Sequence, residues 1–172
     1  GEMADPDASV QMKNPLCGDE ITLHVRFGEN EIDDLSFSGR GCSISQASAS
    51  MMTQLLKGRA LGEVETLRHT FRDMVMGDET AAGDSSLGSL RALSGVARFP
   101  ARVKCALLAW NALETALALG VVLATMGAVA VAAHAGEVQP EGRGQHDVGR
   151  GRVDLRAAGP HHLRGDQTAQ HT

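Results

Sequence analysis

From residue 20 to residue 27 apolar and polar side chains alternate, with Ile21, Leu23, Val25 and Phe27 on one parity and Thr22, His24 and Arg26 on the other. A period of two belongs to a strand with one face in a core. Ser9 to Lys13 has the same extended character. Ile32 to Ser38 alternates again after Gly28-Glu29-Asn30-Glu31, a turn that makes the later two runs a hairpin. Beyond Gly39-Arg40-Gly41 the period lengthens. Ile44, Ala47, Met51 and Leu55 lie at helical spacing, with Ser43 available as a cap and Gly58 as a stop. Leu61, Val64, Leu67, Phe71 and Val75 repeat the pattern up to Gly77. Gly83 to Leu87 reads as a loop and Leu87 to Leu93 as a short helix. Phe99-Pro100 then introduces a strong helix from about Arg102 to Leu117, with Cys105 in its first turn. The pattern predicts an α+β fold, a small antiparallel three-stranded sheet packed against several helices.

The pattern changes character near residue 117, which divides the chain into a folded module, 1–117, and a low-complexity C-terminal part, 118–172. Ala116 to Ala133 is a run of 18 residues without a charge, within the lower range for a membrane span. It consists mainly of Ala, Gly and Val and carries no aromatic belt, so a membrane helix is not expected. From Gly136 onward seven Gly, five Arg and four His accompany almost no large apolar residue, and a disordered tail is expected. The pair His161-His162 reads as part of that polar filler.

Composition narrows the function. The formal charge is −5 and the 16 basic residues are scattered, whereas phosphate binding needs clustered Lys and Arg, so no nucleic-acid partner is expected. With no Tyr, one Trp and four Phe, base-stacking platforms are missing as well. Three cysteines, an odd number, without a basic and apolar leader ahead of them, point to free thiols in a reducing compartment, and the cytoplasm is the expected location.

Each cysteine sits in a distinctive segment: Asn14-Pro15-Leu16-Cys17-Gly18-Asp19, Gly39-Arg40-Gly41-Cys42-Ser43-Ile44-Ser45 and Arg102-Val103-Lys104-Cys105-Ala106. A single free cysteine is more often a small buried hydrophobe than a ligand. Here all three lie at element boundaries, two of them beside glycines, rather than within an apolar stripe. Thiolates with one carboxylate suit tetrahedral zinc, the sulfurs stabilising the ion and the oxygen leaving a more exchangeable position. Asp19 taken alone reads as a turn residue, and His24 and His69 as strand-surface and helix-surface residues.

These segments, with Ala47-Ser48-Ala49-Ser50-Met51-Met52 and Leu107-Leu108-Ala109-Trp110, resemble the IscU/NifU N-terminal family over about residues 9 to 117, and specifically its SufU branch. Leu87-Gly88-Ser89-Leu90-Arg91-Ala92-Leu93-Ser94-Gly95-Val96 is similar to the insertion that distinguishes that branch. Lys104 supports it, because IscU-type members place a ligand His there and a protonated Lys cannot ligate. Two departures stand out. The family begins with a helix ahead of its first strand, whereas this sequence starts almost at that strand, and the family normally ends near Leu117.

The resemblance implies a metal site of Cys17, Asp19, Cys42 and Cys105. It also implies a zinc-dependent sulfurtransferase that accepts a persulfide from a SufS-type cysteine desulfurase and passes sulfur to the SUF assembly machinery. Cys17 is the expected acceptor, freed when the desulfurase docks. Cys105 is the alternative, on the reading that it lies at a helix N-terminus where the dipole favours a thiolate. Arg102 is expected to tune the site. The competing reading is a scaffold on which a [2Fe-2S] iron–sulfur cluster is assembled. A purely structural zinc site, normally closed by four Cys or His ligands, is disfavoured by the carboxylate.

Overall fold

The computed structural model describes residues 1–132 and 153–154, with side-chain surroundings up to residue 122. The three expected strands form β1 (Ala8–Asn14), β2 (Asp19–Phe27) and β3 (Ile32–Arg40). β2 lies between its antiparallel neighbours, with Val10 opposite Leu23 on one side and Leu23 opposite Phe37 on the other. The alternation read in the sequence is the burial pattern: Ile21, Leu23 and Val25 are fully buried while Thr22 and Arg26 face outward. A two-residue strand, β4 (Val153–Asp154), adds to the outer edge of β1. That pairing interrupts the structureless tail expected there. The rest of that expectation, including His161-His162, lies outside the described residues.

Helix α1 (Ser43–Leu56) and helix α2 (Leu61–Met76) follow. Ser43 was expected to cap α1, but the capping position is Cys42, which makes no side-chain cap bond, and Ser43 is the first helical residue. Helix α2 has the bounds the pattern predicts, closed by Gly77 at φ +110, a left-handed conformation suited to glycine. A short helix, α3 (Glu79–Gly83), precedes a 3-10 stretch from Ser85 to Arg98 that is broken at Gly88. The sequence pattern predicts a loop at residues 83–87 and a helix only over 87–93. Leu87, Leu90, Leu93 and Val96 are all buried, and their spacing of three is that of a 3-10 helix, whose i and i+3 side chains eclipse. The 3.6-residue template matched only its middle.

The last helix, α4 (Pro100–Ala132), starts two residues earlier and runs fifteen residues further than expected, without a break at 117. Cys105 is therefore in its second turn, not its first. Its Pro100–Val122 portion is long and apolar enough to cross a membrane, and its inner face is the centre of this fold. Ala106, Ala109, Trp110, Ala112, Leu113 and Ala116 are buried against the sheet and the helices. Trp110 stacks on Phe71 of α2, with centroids 4.5 Å apart and planes within 15°, and its indole N–H donates to Ser48 Oγ of α1 at 3.2 Å. Ser48 in turn donates to the Ala106 carbonyl at 2.7 Å. Arg68 of α2, buried, reaches Glu114 of α4 at 3.3 Å. These contacts fix the depth and rotation of α4 and hence the direction of Cys105.

Candidate metal centre

Two chain reversals and a helix converge at one end of the sheet. The β1–β2 hairpin has Asn14 opposite Asp19 and a tip of Pro15-Leu16-Cys17-Gly18. Asn14 shapes the tip: its carbonyl accepts the Gly18 N–H at 2.9 Å and its Oδ1 accepts the Leu16 N–H at 3.1 Å, a side chain standing in for a turn carbonyl. Gly18 takes φ +73. The result is an exposed Cys17 at the tip and a buried Asp19 at the first position of β2.

The second reversal joins β3 to α1. A side chain at Gly41 would place its Cβ 2.5 Å from Ser45 Oγ and 2.9 Å from Asp19 Cγ, and one at Gly39 would run into the backbone of Glu20. The two glycines let this corner close over β2. Closure puts the Cys42 backbone N–H on Asp19 Oδ1 at 2.9 Å. Ser45 donates to the Cys42 carbonyl at 3.0 Å, and the Cys42 thiol turns toward Ser45 Oγ at 3.8 Å. The third element is α4, where Cys105, buried, has its Sγ 3.6 Å from Cys17 Sγ. Asn14 Nδ2 donates to the same sulfur at 3.8 Å.

Of the four expected ligands, Cys17, Asp19 and Cys105 offer donor atoms that all lie within 4.8 Å of one another. Cys42 stands beside this trio, holding Asp19 through its backbone while its thiol points to Ser45. Arg102 is exposed one turn before Cys105, and its backbone N–H closes the first turn of α4 on the Phe99 carbonyl at 2.7 Å. His69 is on the surface of α2, bonded to Glu65 at 3.1 Å. His24 lies on the outer sheet face as expected, but is largely covered, and its Nδ1 meets Ser9 Oγ at 2.8 Å. Asn14, Gly41 and Ser45 act at the site without having been singled out. The signal for Asn14 was its place ahead of Pro15 in a turn, where an Asn side chain can cap the backbone.

Two acids at the site depart from their ordinary pKa values in opposite directions. Burial pushes the Asp19 carboxyl up, but the Cys42 N–H and, beyond it, the nearby Cys42 and Cys17 thiols and the Ser45 hydroxyl outweigh this and hold it at about 2. Its second oxygen, Oδ2, is buried and accepts no hydrogen bond. A buried carboxylate oxygen without a partner is costly. Burial also pushes the Cys105 thiol up to about 12, helped by Cys17, Cys42 and Asp19 around it. Crowded acids that resist sharing negative charge, with an orphaned oxygen among them, fit a divalent ion taking sulfur and oxygen donors, and zinc suits that set.

Comparison with known proteins follows the same lines. The family model described as NifU-like N terminal domain matches residues 1–118. The chain is 49% identical over 109 residues to the iron–sulfur cluster assembly scaffold protein IscU of Streptococcus pyogenes, covering 63% of this chain and 68% of that one. It is 48% identical over 110 residues to the zinc-dependent sulfurtransferase SufU of Bacillus subtilis, covering 63% and 74%. Among solved structures, a proposed SUF-system cluster assembly scaffold from Fervidobacterium islandicum superposes with a TM-score of 0.60 at 35% identity, over 67% of this chain and 83% of that one. A nitrogen-fixing NifU-like N-terminal protein from Brucella abortus shares the fold, with a TM-score of 0.59 at 24% identity over 66% and 78%.

Proposed function

Because the chain belongs to the NifU-like N-terminal domain family, we propose that it serves iron–sulfur cluster biogenesis as a zinc-dependent sulfurtransferase. In this reading it accepts sulfur from a SufS-type cysteine desulfurase and passes it to the SUF assembly machinery in the cytoplasm. The observation that carries it is the orphaned, buried Asp19 Oδ2 beside the Cys17 and Cys105 sulfurs, with Cys42 adjoining. Cys17, Asp19, Cys42 and Cys105 would hold the ion, which when bound keeps the thiols deprotonated and in place.

The residues divide the work by exposure. Cys17 at the hairpin tip is the thiol a partner can reach. Its thiolate attacks the outer sulfur of the desulfurase persulfide, the S–S bond breaks, and the desulfurase cysteine leaves as thiolate while Cys17 carries the persulfide. Cys105 is buried and lies in the second turn of α4, so in this reading it is the poorer first acceptor. Asp19, anchored by the Cys42 N–H, holds the carboxylate in register with the sulfurs. Arg102, exposed one turn before Cys105, would tune the site.

A second reading, a scaffold for [2Fe-2S] assembly, is favoured by the name of the Streptococcus pyogenes relative. Lys104, exposed and cationic where a scaffold's ligand His is expected, favours transfer. The deciding experiment is anaerobic cysteine turnover by a SufS-type desulfurase with and without the zinc-loaded chain, for wild type and Cys17→Ala. Stimulation that requires Cys17 establishes the acceptor. No stimulation, with iron and sulfide retained on the protein, establishes the scaffold.

A further inference from the structure

The three thiols are not equivalent. Cys17 Sγ and Cys105 Sγ are 3.6 Å apart although 88 positions separate them in the chain. The Cys42 thiol is engaged with Ser45 Oγ and lies outside the compact donor group. We propose that Cys17 and Cys105 form a redox pair, guarded by the bound metal and closed to an intramolecular disulfide when the metal leaves and an oxidant of the peroxide class is present. This rests on the metal-site reading above and is independent of sulfur transfer.

The geometry favours this pair over the other two. A disulfide needs the sulfurs to approach from 3.6 Å to about 2.05 Å. The movement falls on the exposed tip Pro15-Leu16-Cys17-Gly18, while Cys105 is held in α4, its thiol on the Ala101 carbonyl at 3.7 Å. Cys42 also adjoins Cys105, but its thiol contacts Ser45 Oγ at 3.8 Å and it sits in the corner packed around Gly41 rather than on an exposed tip. Coordination explains the guarding, since a sulfur bound to metal is not a free nucleophile toward peroxide.

The chemistry assigns separate roles. The exposed Cys17 thiol attacks hydrogen peroxide, breaking its O–O bond to give the sulfenic acid and one water. The Cys105 sulfur then attacks the Cys17 sulfur, the S–O bond breaks, and the hydroxyl leaves with the Cys105 proton as a second water. Two thiols have lost two electrons and two protons, and one peroxide has become two waters. Cys105, only 1% exposed, is shielded from the oxidant and acts as the resolving thiol. A dithiol reductant reopens the pair and restores the metal donors.

The test uses the full chain in two forms, zinc-loaded and stripped by a chelator, with zinc content measured for each. Both are treated with a small excess of hydrogen peroxide, free thiols are alkylated, and the non-reduced digest is mapped by mass spectrometry. The stripped form should show a Cys17–Cys105 linked peptide within one chain, with Cys42 alkylated, and the loaded form should show at least tenfold less. Oxidised protein should take up zinc only after dithiothreitol. Linkage through Cys42, an even mixture of the three pairings, or equal oxidation of both forms would overturn the proposal. Zinc binding without the Cys17–Cys105 link sinks the switch and leaves the metal site standing. The link in a chain that binds no zinc upholds the pair and sinks the metal reading. Cys42→Ser provides a second arm, in which the same link must form.

Discussion

Ser48 accepts the indole N–H of Trp110 at 3.2 Å while donating its own proton to the Ala106 carbonyl at 2.7 Å. One buried hydroxyl thereby ties α1, whose capping position is Cys42, to α4, which carries Cys105. Ser48→Ala leaves the indole N–H unpaired in a dry core, a cost of about 1–3 kcal/mol, and should lower the thermal midpoint by several degrees. Trp110→Phe keeps an aromatic ring against Phe71 and removes the donor while Ser48 keeps its bond to the Ala106 carbonyl, so it leaves no buried N–H unpaired and should cost less in hydrogen bonding. Calorimetry of the two variants separates a bond that registers the helices from mere packing, which would rank them in the opposite order.

Gly41 predicts a separation of metal binding from folding. Its missing side chain leaves space that a Cβ would take 2.5 Å from Ser45 Oγ and 2.9 Å from Asp19 Cγ. Gly41→Ala must push the carboxylate away from the thiols. Zinc affinity should drop by about tenfold or more, equivalent to at least 1.4 kcal/mol, with the circular dichroism spectrum retained. Gly62→Ala, at a helical position where a Cβ meets nothing, serves as the control. It should leave zinc binding unchanged and stabilise the chain by roughly 0.5–1 kcal/mol.

The sequence made the sheet and α2 readable because period-two alternation and an amphipathic run ending in glycine are local signals. Leu61 to Gly77 needed nothing from the rest of the chain. The end of α4 was not readable, because beyond Leu117 the run of Ala, Val and Gly, with Gly120 and Gly127 in it, carries neither an amphipathic period nor a clear stop, and the helix continues through it. The cysteine segments were legible as candidates, but their surroundings were not. That Cys42 holds Asp19 through its backbone, and that Cys105 is buried rather than poised at a helix start, follow from how Gly41 and Trp110 set the approach of distant elements.

The 3-10 stretch should behave as part of the core rather than as a loop. Leu90 is fully buried between Leu87 and Leu93, and Leu90→Ala should cost about 2–5 kcal/mol, the range for a large-to-small change in a packed interior. Ser89→Ala, at the exposed neighbouring position, should stay within about 0.5 kcal/mol. Denaturant unfolding of both variants is the measurement, and equal small effects would show the stretch to be peripheral.

The two perturbed acids at the site set opposite limits on the metal-free protein. Asp19 falls from 3.8 to about 2, so its contribution to stability is complete above pH 4 and is lost as pH falls through about 2. Cys105 rises from 9.0 to about 12. The folded state binds its proton more tightly than the unfolded chain does, and that contribution is complete below pH 9 and lost as pH rises toward 12. Metal binding reverses the second effect, because a ligating sulfur must give up its proton. Apparent zinc affinity should therefore climb between pH 6.5 and 8.5, by up to about tenfold per unit for each thiol deprotonated. Competition against a chromophoric chelator across that range reads the slope directly. Zinc affinity that stays flat would mean that no thiol proton is displaced, and would remove the cysteines from the ligand set.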